Sequence, residues 1–188
     1  MTQVLARIVL VAVLFTGSAV SGQTQSVTYK GTQFGITEKA FIQRRNNEGF
    51  VCGFPFDKVG RECVSEVATY ADEKVSTHAR FIKDKLVSVV MIFRNDGDIS
   101  SQILSDISIP DKIEEQHGKP NEEMWPSETN GIRTWKKVWR KNDGTSVMYI
   151  RSLSVAGDVD VNMRMIALSA KDADRIHIDA KKAIKPDM

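Results

Sequence analysis

Two cysteines and three histidines are all that this chain of 188 residues offers for thiol or imidazole chemistry. His78, His117 and His177 stand in no H-x-x-x-H or H-E-x-x-H spacing, and none lies near Cys52 or Cys63 to complete a zinc site. Gly-x-Ser-x-Gly elbows, Walker loops and dinucleotide fingerprints are missing. Gly118-Lys119-Pro120 closes a helical pattern, whereas phosphate binding uses a helix start. The adjacent pairs Glu114-Glu115 and Glu122-Glu123 read as solvated faces, not as an acid/base couple. The expectation is therefore a non-catalytic protein with no cofactor and no metal. An excess of one charge is missing too. With 26 basic and 24 acidic residues the net charge is +2, and no global field selects nucleic acid or an anionic membrane.

Long apolar runs are also absent. Ile8–Phe15 is an eight-residue run, far short of the roughly 20 residues of a membrane span. Arg7 precedes it, and Gly17, Ser18, Ala19, Ser21 and Gly22 follow, the small residues that a signal peptidase accepts. Residues 1–22 read as a signal peptide cleaved after Ser21 or Gly22. No cysteine follows the run to take a lipid, so the expected location is the periplasm or the medium, with no stable membrane insertion after cleavage. In such an oxidising compartment Cys52 and Cys63 are expected to be joined as a structural disulfide.

The remainder divides into a polar N-terminal segment (23–31), one α+β domain (32–170) and a charged tail (171–188) of one or two helical turns. Within 23–31, Val27–Tyr29 has the makings of a short strand. Thr37 is a good N-cap with Glu38 in the first turn, Ile36, Ala40 and Phe41 form a short stripe, and Gly49 ends that helix. Phe54-Pro55-Phe56 reads as an irregular lid within the cysteine loop. Strands are expected over Glu62–Tyr70, Val75–Lys83 and Leu86–Phe93, the last apolar on both faces and so central. The acidic turn Asn95–Asp98 follows. Ile99, Ile103, Leu104 and Ile107 keep helical spacing until Pro110 breaks it. Ser108 then caps a second short helix that stops at Gly118 and Pro120. Further strands are expected over Ile132–Lys141, Thr145–Leu153 and Asp158–Ser169.

Asp143-Gly144 is a strong hairpin signal. As a two-residue loop it sets Trp139 opposite Met148, Lys137 opposite Ile150 and Trp135 opposite Ser152. Trp135, Trp139, Met148 and Ile150 then share one face, with Val161, Met163, Met165 and Ala167 beside them. The fold class expected is an antiparallel β-sheet covered by short helices, with two tandem α-β-β-β units (32–95 and 96–170) as its finer form.

One stretch reads as a binding surface. Arg133, Lys136, Lys137, Arg140 and Lys141 interleave with Trp135 and Trp139. Such a pattern serves single-stranded nucleic acid in some proteins. Here export removes that partner, and the register sets Lys136 and Arg140 on the face opposite the tryptophans. An envelope or secreted protein is the partner expected.

The helix-then-sheet order, seen twice, is carried by Phe34-Gly35-Ile36-Thr37 before the first helix and Gln116-His117-Gly118-Lys119-Pro120 closing the second. It resembles small exported bacterial proteins of tandem helix–sheet build, the β-lactamase-inhibitor-protein-like fold and the SmpA/OmlA-like outer-membrane assembly lipoproteins. The resemblance spans 32–168. The lipid-bearing cysteine of the lipoproteins is absent here, and no site residue carries over. An enzyme of unrecognised type and a small-ligand carrier are the alternative readings.

Overall fold

Alternating apolar residues through the middle of the chain build one large sheet, and its register decides what each side chain meets. The structure is a computed structural model that describes residues 26–94, 99–129, 131–154 and 162–184, and within them no side chains of 99–105 and 125–127. The signal-peptide reading, the turn at 95–98, Val161 and residues 185–188 lie outside the described residues. Helix α1 (Glu38–Arg44) precedes a meander of β1 (Val51–Phe56), β2 (Gly60–Tyr70), β3 (Glu73–Ile82) and β4 (Lys85–Phe93). Helix α2 (Ile99–His117) precedes β5 (Glu122–Thr129), β6 (Ile132–Arg140), β7 (Ser146–Ser154) and β8 (Asn162–Ser169), and α3 (Ala173–Ala183) follows. The strands form one antiparallel sheet in the order β1-β2-β3-β4-β8-β7-β6-β5. The α+β class with an antiparallel sheet holds, and β4, apolar on both faces, is central as expected.

Among the described residues, α1 and α2 are each followed by four strands, not three. The expected lid at Phe54-Pro55-Phe56 is the edge strand β1, paired to β2 from Val51↔Val64 to Phe56↔Gly60. Strand β5 pairs with β6 up to Thr129↔Ile132, the two residues that flank Asn130-Gly131, the dipeptide that most favours a two-residue hairpin. In the first meander, two-residue reversals occur without glycine. Ala71-Asp72 and Lys83-Asp84 all take positive φ, between 49° and 68°.

The Asp143-Gly144 turn differs from the expectation. Lys141 N–H donates to Thr145 O and Gly144 N–H to Lys141 O, both at 2.9 Å, and Gly144 has φ 86°. This is a three-residue loop, a tight turn followed by a left-handed glycine. Asp143 shapes it by accepting from the Thr145 amide and hydroxyl at 2.9 and 2.7 Å. The register moves by one residue: Trp139 opposes Val147, Lys137 opposes Tyr149 and Trp135 opposes Arg151. A one-residue slip sends a whole strand's side chains to the other face. Met148 and Ile150 therefore leave the tryptophan face, and so do Met163, Met165 and Ala167. The residues of β8 that sit beside Trp139 and its neighbours are Arg164, Ile166 and Leu168.

The face carrying Trp139 is closed. Rows such as Trp139–Val147–Leu168–Val89–Ala79–Cys63 cross the sheet at the ladder register. Above them lie α1, α2 and residues 27–32. Val27, Tyr29 and Thr32 are buried, with Tyr29 among the rings of Phe41 and Phe50. Its hydroxyl donates to Glu48 at 2.6 Å. Burial and then the Glu48 carboxylate push the Tyr29 phenol above its ordinary value. Thr37 caps α1 as read, its hydroxyl accepting from Ala40 N–H at 3.3 Å. A short 3₁₀ turn follows before Gly49 ends the segment in the left-handed region.

Pro110 does not end a helix. Helix α2 runs through it without interruption. A mid-helix proline costs about 3 kcal/mol. Ile109 and Ile113 are fully buried and return about 1.5–3 kcal/mol each. Asp106 also pins the helix, 2.9 Å from Arg151 Nη2 and 3.9 Å from Arg164 Nε. Arg151 and Arg164 sit directly opposite each other on β7 and β8. Unbridged like charges there would repel. Asp106 lies between them, and Glu73 pairs with Arg164 at 3.1 Å. Gly118, at φ 78°, closes α2 as expected.

Cys52 and Cys63 form the expected disulfide, directly opposite on β1 and β2. It staples the edge strand to the sheet. Disulfides persist outside the reducing cytosol, which points to a non-cytoplasmic protein. Among the described residues no helix is long and apolar enough to cross a membrane.

Candidate functional site on the open sheet face

The five cations read as a binding surface do not act together. Arg133 pairs with Glu128 at 3.2 Å, Lys137 with Glu123 at 3.4 Å and Arg140 with Glu122 at 3.0 Å. Lys141 Nζ donates to His117 O at 2.8 Å, capping α2. Trp139 Nε1 donates to Gly118 O at 2.7 Å, so this tryptophan is structural and 1% exposed. Lys136 has no ion-pair partner among the described residues. It lies with Arg140 on the face opposite the tryptophans, as the sequence implied.

That opposite face is the open one. Its middle carries Val90, Ala167 and Val138, which are buried, and Ile92, Met148, Ile150, Met163 and Met165, which are partly buried. Met124 of β5 continues the row beside Lys136 and is 51% exposed. Methionine is unbranched and polarisable, and suits surfaces that adapt to a partner. Serines 88, 146 and 169 form the next row toward α3.

Among the described residues, helix α3 covers this face at one end. The tail expected to fray after a turn or two is an eleven-residue helix that seats Ile176 and Ala180 on Ile82, Val87, Phe56 and Val59. Asp57 holds it from the β1–β2 loop, 2.8 Å from His177 Nε2 and 2.6 Å from Lys181 Nζ. Lys181 first, with His177 adding to it, keeps the Asp57 carboxyl below its ordinary value. Beside α3 the sheet forms two adjoining hollows of about 390 and 500 Å³, both lined by Met148, Ser169, Ala173 and Asp174. Val90, Ile92 and Met165 floor the first, and Lys136, Arg140 and Arg175 line the second.

The sheet edges are poor sites for an added strand. β1 contains Pro55 and a register shift between Cys52 and Phe54, and β5 contains Pro126 and a shift between Met124 and Ser127. A proline and an irregularity on an edge both block strand addition.

The histidines remain apart. His78 lies 3.1 Å from Glu62, whose other oxygen takes Arg80 Nε at 2.8 Å. Burial raises the Glu62 carboxyl, but the hydrogen bonds from Arg80 and His78 outweigh it and hold the group below its ordinary value. His117 ends α2, where the helix dipole by itself would favour the imidazolium. Burial, and then Lys141 on the same helix end, push its pKa down. Glu38 lies close to Cys52 and Cys63, but both sulfurs are consumed by the disulfide and offer no thiolate to a metal.

No family model, no curated protein and no solved structure matches this chain.

Proposed function

We propose that this is an exported, non-catalytic protein of the bacterial envelope or medium, and that it holds the amphipathic helix of a protein partner on the open sheet face. The observation that carries the reading is the row of partly buried Met148, Met163, Met165, Ile92 and Ile150 beside α3, over which no other described element packs. A sheet face with apolar side chains is completed by a packed layer. Helix α3 already docks in this mode through Ile176 and Ala180, and a second helix beside it extends the layer as helix-in-groove recognition does. Lys136 and Arg140 on the rim favour an acidic flank on that helix. The blocked edges leave the face, not strand addition, as the route. The disulfide supports export, and the recurrence of a helix with a four-stranded meander supports a tandem build of the kind the SmpA/OmlA-like and inhibitor-like proteins share.

Photocrosslinking decides the matter. A benzophenone side chain at position 165 is expected to trap one envelope protein through a helical segment, and the same group at Lys58, on the β1–β2 loop, to trap none. Met148→Glu with Met165→Glu is expected to abolish the crosslink from a probe at Met163, with the melt lowered by several degrees and the fold retained at assay temperature. Arg140→Glu with Lys136→Glu slows association and weakens its salt dependence. A crosslink joining two copies of this chain, or equal trapping at both positions, overturns the reading.

A further inference from the structure

On the covered face, between α2 and the ladder of β6 and β7, lies a separate cleft of about 310 Å³. Tyr149 lines it and is 4% exposed, yet its hydroxyl has no hydrogen-bond partner. Asp106 Oδ1 is likewise buried and without one. Arg151, 9% exposed, places Nε and Nη2 at 3.0 and 2.9 Å from Asp106 Oδ2 and donates through Nη1 to Asn162. Pro110 also lines the cleft. It has no N–H to give the carbonyl of Asp106 four residues before it, which frees one more acceptor there. Half-buried Trp135, opposite Arg151 across the ladder, forms a wall.

Buried polar groups are nearly always hydrogen-bonded, so a buried hydroxyl without a partner and a carboxylate oxygen held only by the 3.9 Å ion pair to Arg164 point to something that completes both. The charges say what kind. Arg151 and Arg164 are balanced by Asp106 and Glu73, Lys137 by Glu123, and Lys136 and Asp111 on the lining carry opposite charges, so the cleft has no net charge to repay the hydration that an entering ion would shed. A neutral ligand with neighbouring hydroxyls does fit, since each hydroxyl both donates and accepts. One hydroxyl takes the Tyr149 proton and donates to Asp106 Oδ1, its neighbour accepts from Arg151, and an apolar ring face packs on Trp135. The cleft is at the small end of ligand sites, which span about 300–1,000 Å³. We propose that it binds one neutral pyranose ring, free or at the end of a glycan.

The test uses the full chain with methyl glucoside, methyl galactoside, methyl mannoside, N-acetylglucosamine and its β-1,4 dimer as probes, read by saturation-transfer NMR at millimolar concentration. At least one is expected to show transfer to ring protons, and a stronger signal from the dimer marks a glycan end over a free sugar. Tyr149→Phe, which removes only the hydroxyl, is expected to weaken binding about tenfold, the worth of one lost hydrogen bond. It should leave the melt of the sugar-free protein unchanged or higher, because an unpaired buried group has gone. Trp135→Leu is expected to remove the ring-proton transfer. Absence of transfer from all five probes overturns the proposal. So does binding that is indifferent to Tyr149→Phe, and so does a lowered melt in that variant, which marks a hydroxyl satisfied by structural water.

Discussion

The two faces of the sheet are built from the same strands, residue by alternate residue, and they end differently. On one, Trp139, Val147, Ile166, Val89 and Ala79 lie under α1, α2 and residues 27–32. On the other, Met148, Met165, Ile92 and Ile150 stay partly buried, and among the described residues α3 is the one helix beside them. The closed face holds large rings and two buried arginines whose carboxylate partners come from α2 and β3. The open face holds flexible thioethers and short hydroxyls. Rigid, matched groups suit a permanent interior, whereas methionines suit a surface that must fit an arriving partner.

Truncation on each face gives the largest contrast. Trp139→Ala is expected to cost about 3–5 kcal/mol, as large core deletions do. Arg164→Met is expected to cost a comparable 3–5 kcal/mol, because Glu73 and Asp106 lose a buried partner. Met165→Ala should cost about 1 kcal/mol, typical of a side chain that is not core. Urea denaturation measures all three, and equal losses for Trp139 and Met165 would mean that the open face is as closed as the other.

The staple comes next. It joins residues 11 apart, so Cys52→Ser is expected to lower stability by about 3 kcal/mol or somewhat less on the chain-entropy account. Thiol labelling of unfolded, unreduced protein should find no free cysteine in the parent. If labelling finds both thiols, the bridge is absent in the native protein. The loss should come from the β1 edge and leave partner binding on the open face intact.

The smallest effect is pH dependence. His117 is held below its ordinary value of 6.5, so folding prefers the neutral ring and the unfolded chain binds more protons in acid. Stability from this site is fully present above 6.5 and declines as pH falls through that value toward the depressed folded one. Glu62, also lowered, adds its loss at lower pH, below the ordinary carboxylate value of 4.5. Melts of His117→Gln should lack the first decline and keep the second. A parent melt that rises on acidification below 6.5 would contradict the burial of His117.

Local chemistry was readable wherever it acts on near neighbours. Thr37 caps α1 because a hydroxyl reaches an amide three residues on, and Gly118 ends α2 because it alone takes a left-handed backbone cheaply. The candidate sites were not readable in this way. Tyr149 and Asp106 are 43 positions apart, and nothing in either neighbourhood marks a shared cleft. The Asp143-Gly144 signal marked the right place but the wrong loop length, and one residue of slip exchanged Met148 for Val147 beside Trp139.

By itself, then, the sequence determined the α+β class, the central place of β4, the disulfide and the caps, since period-two patterning and short-range hydrogen bonds are properties of contiguous residues. Only the tertiary structure decided that α2 runs through Pro110, that Arg151 and Arg164 are buried side by side, and that one face is closed while the other stays open. These outcomes rest on long-range pairing. The Asp106 bridge, the burial of Ile109 and Ile113 and a one-residue choice of register outweigh local preferences of about 3 kcal/mol or less.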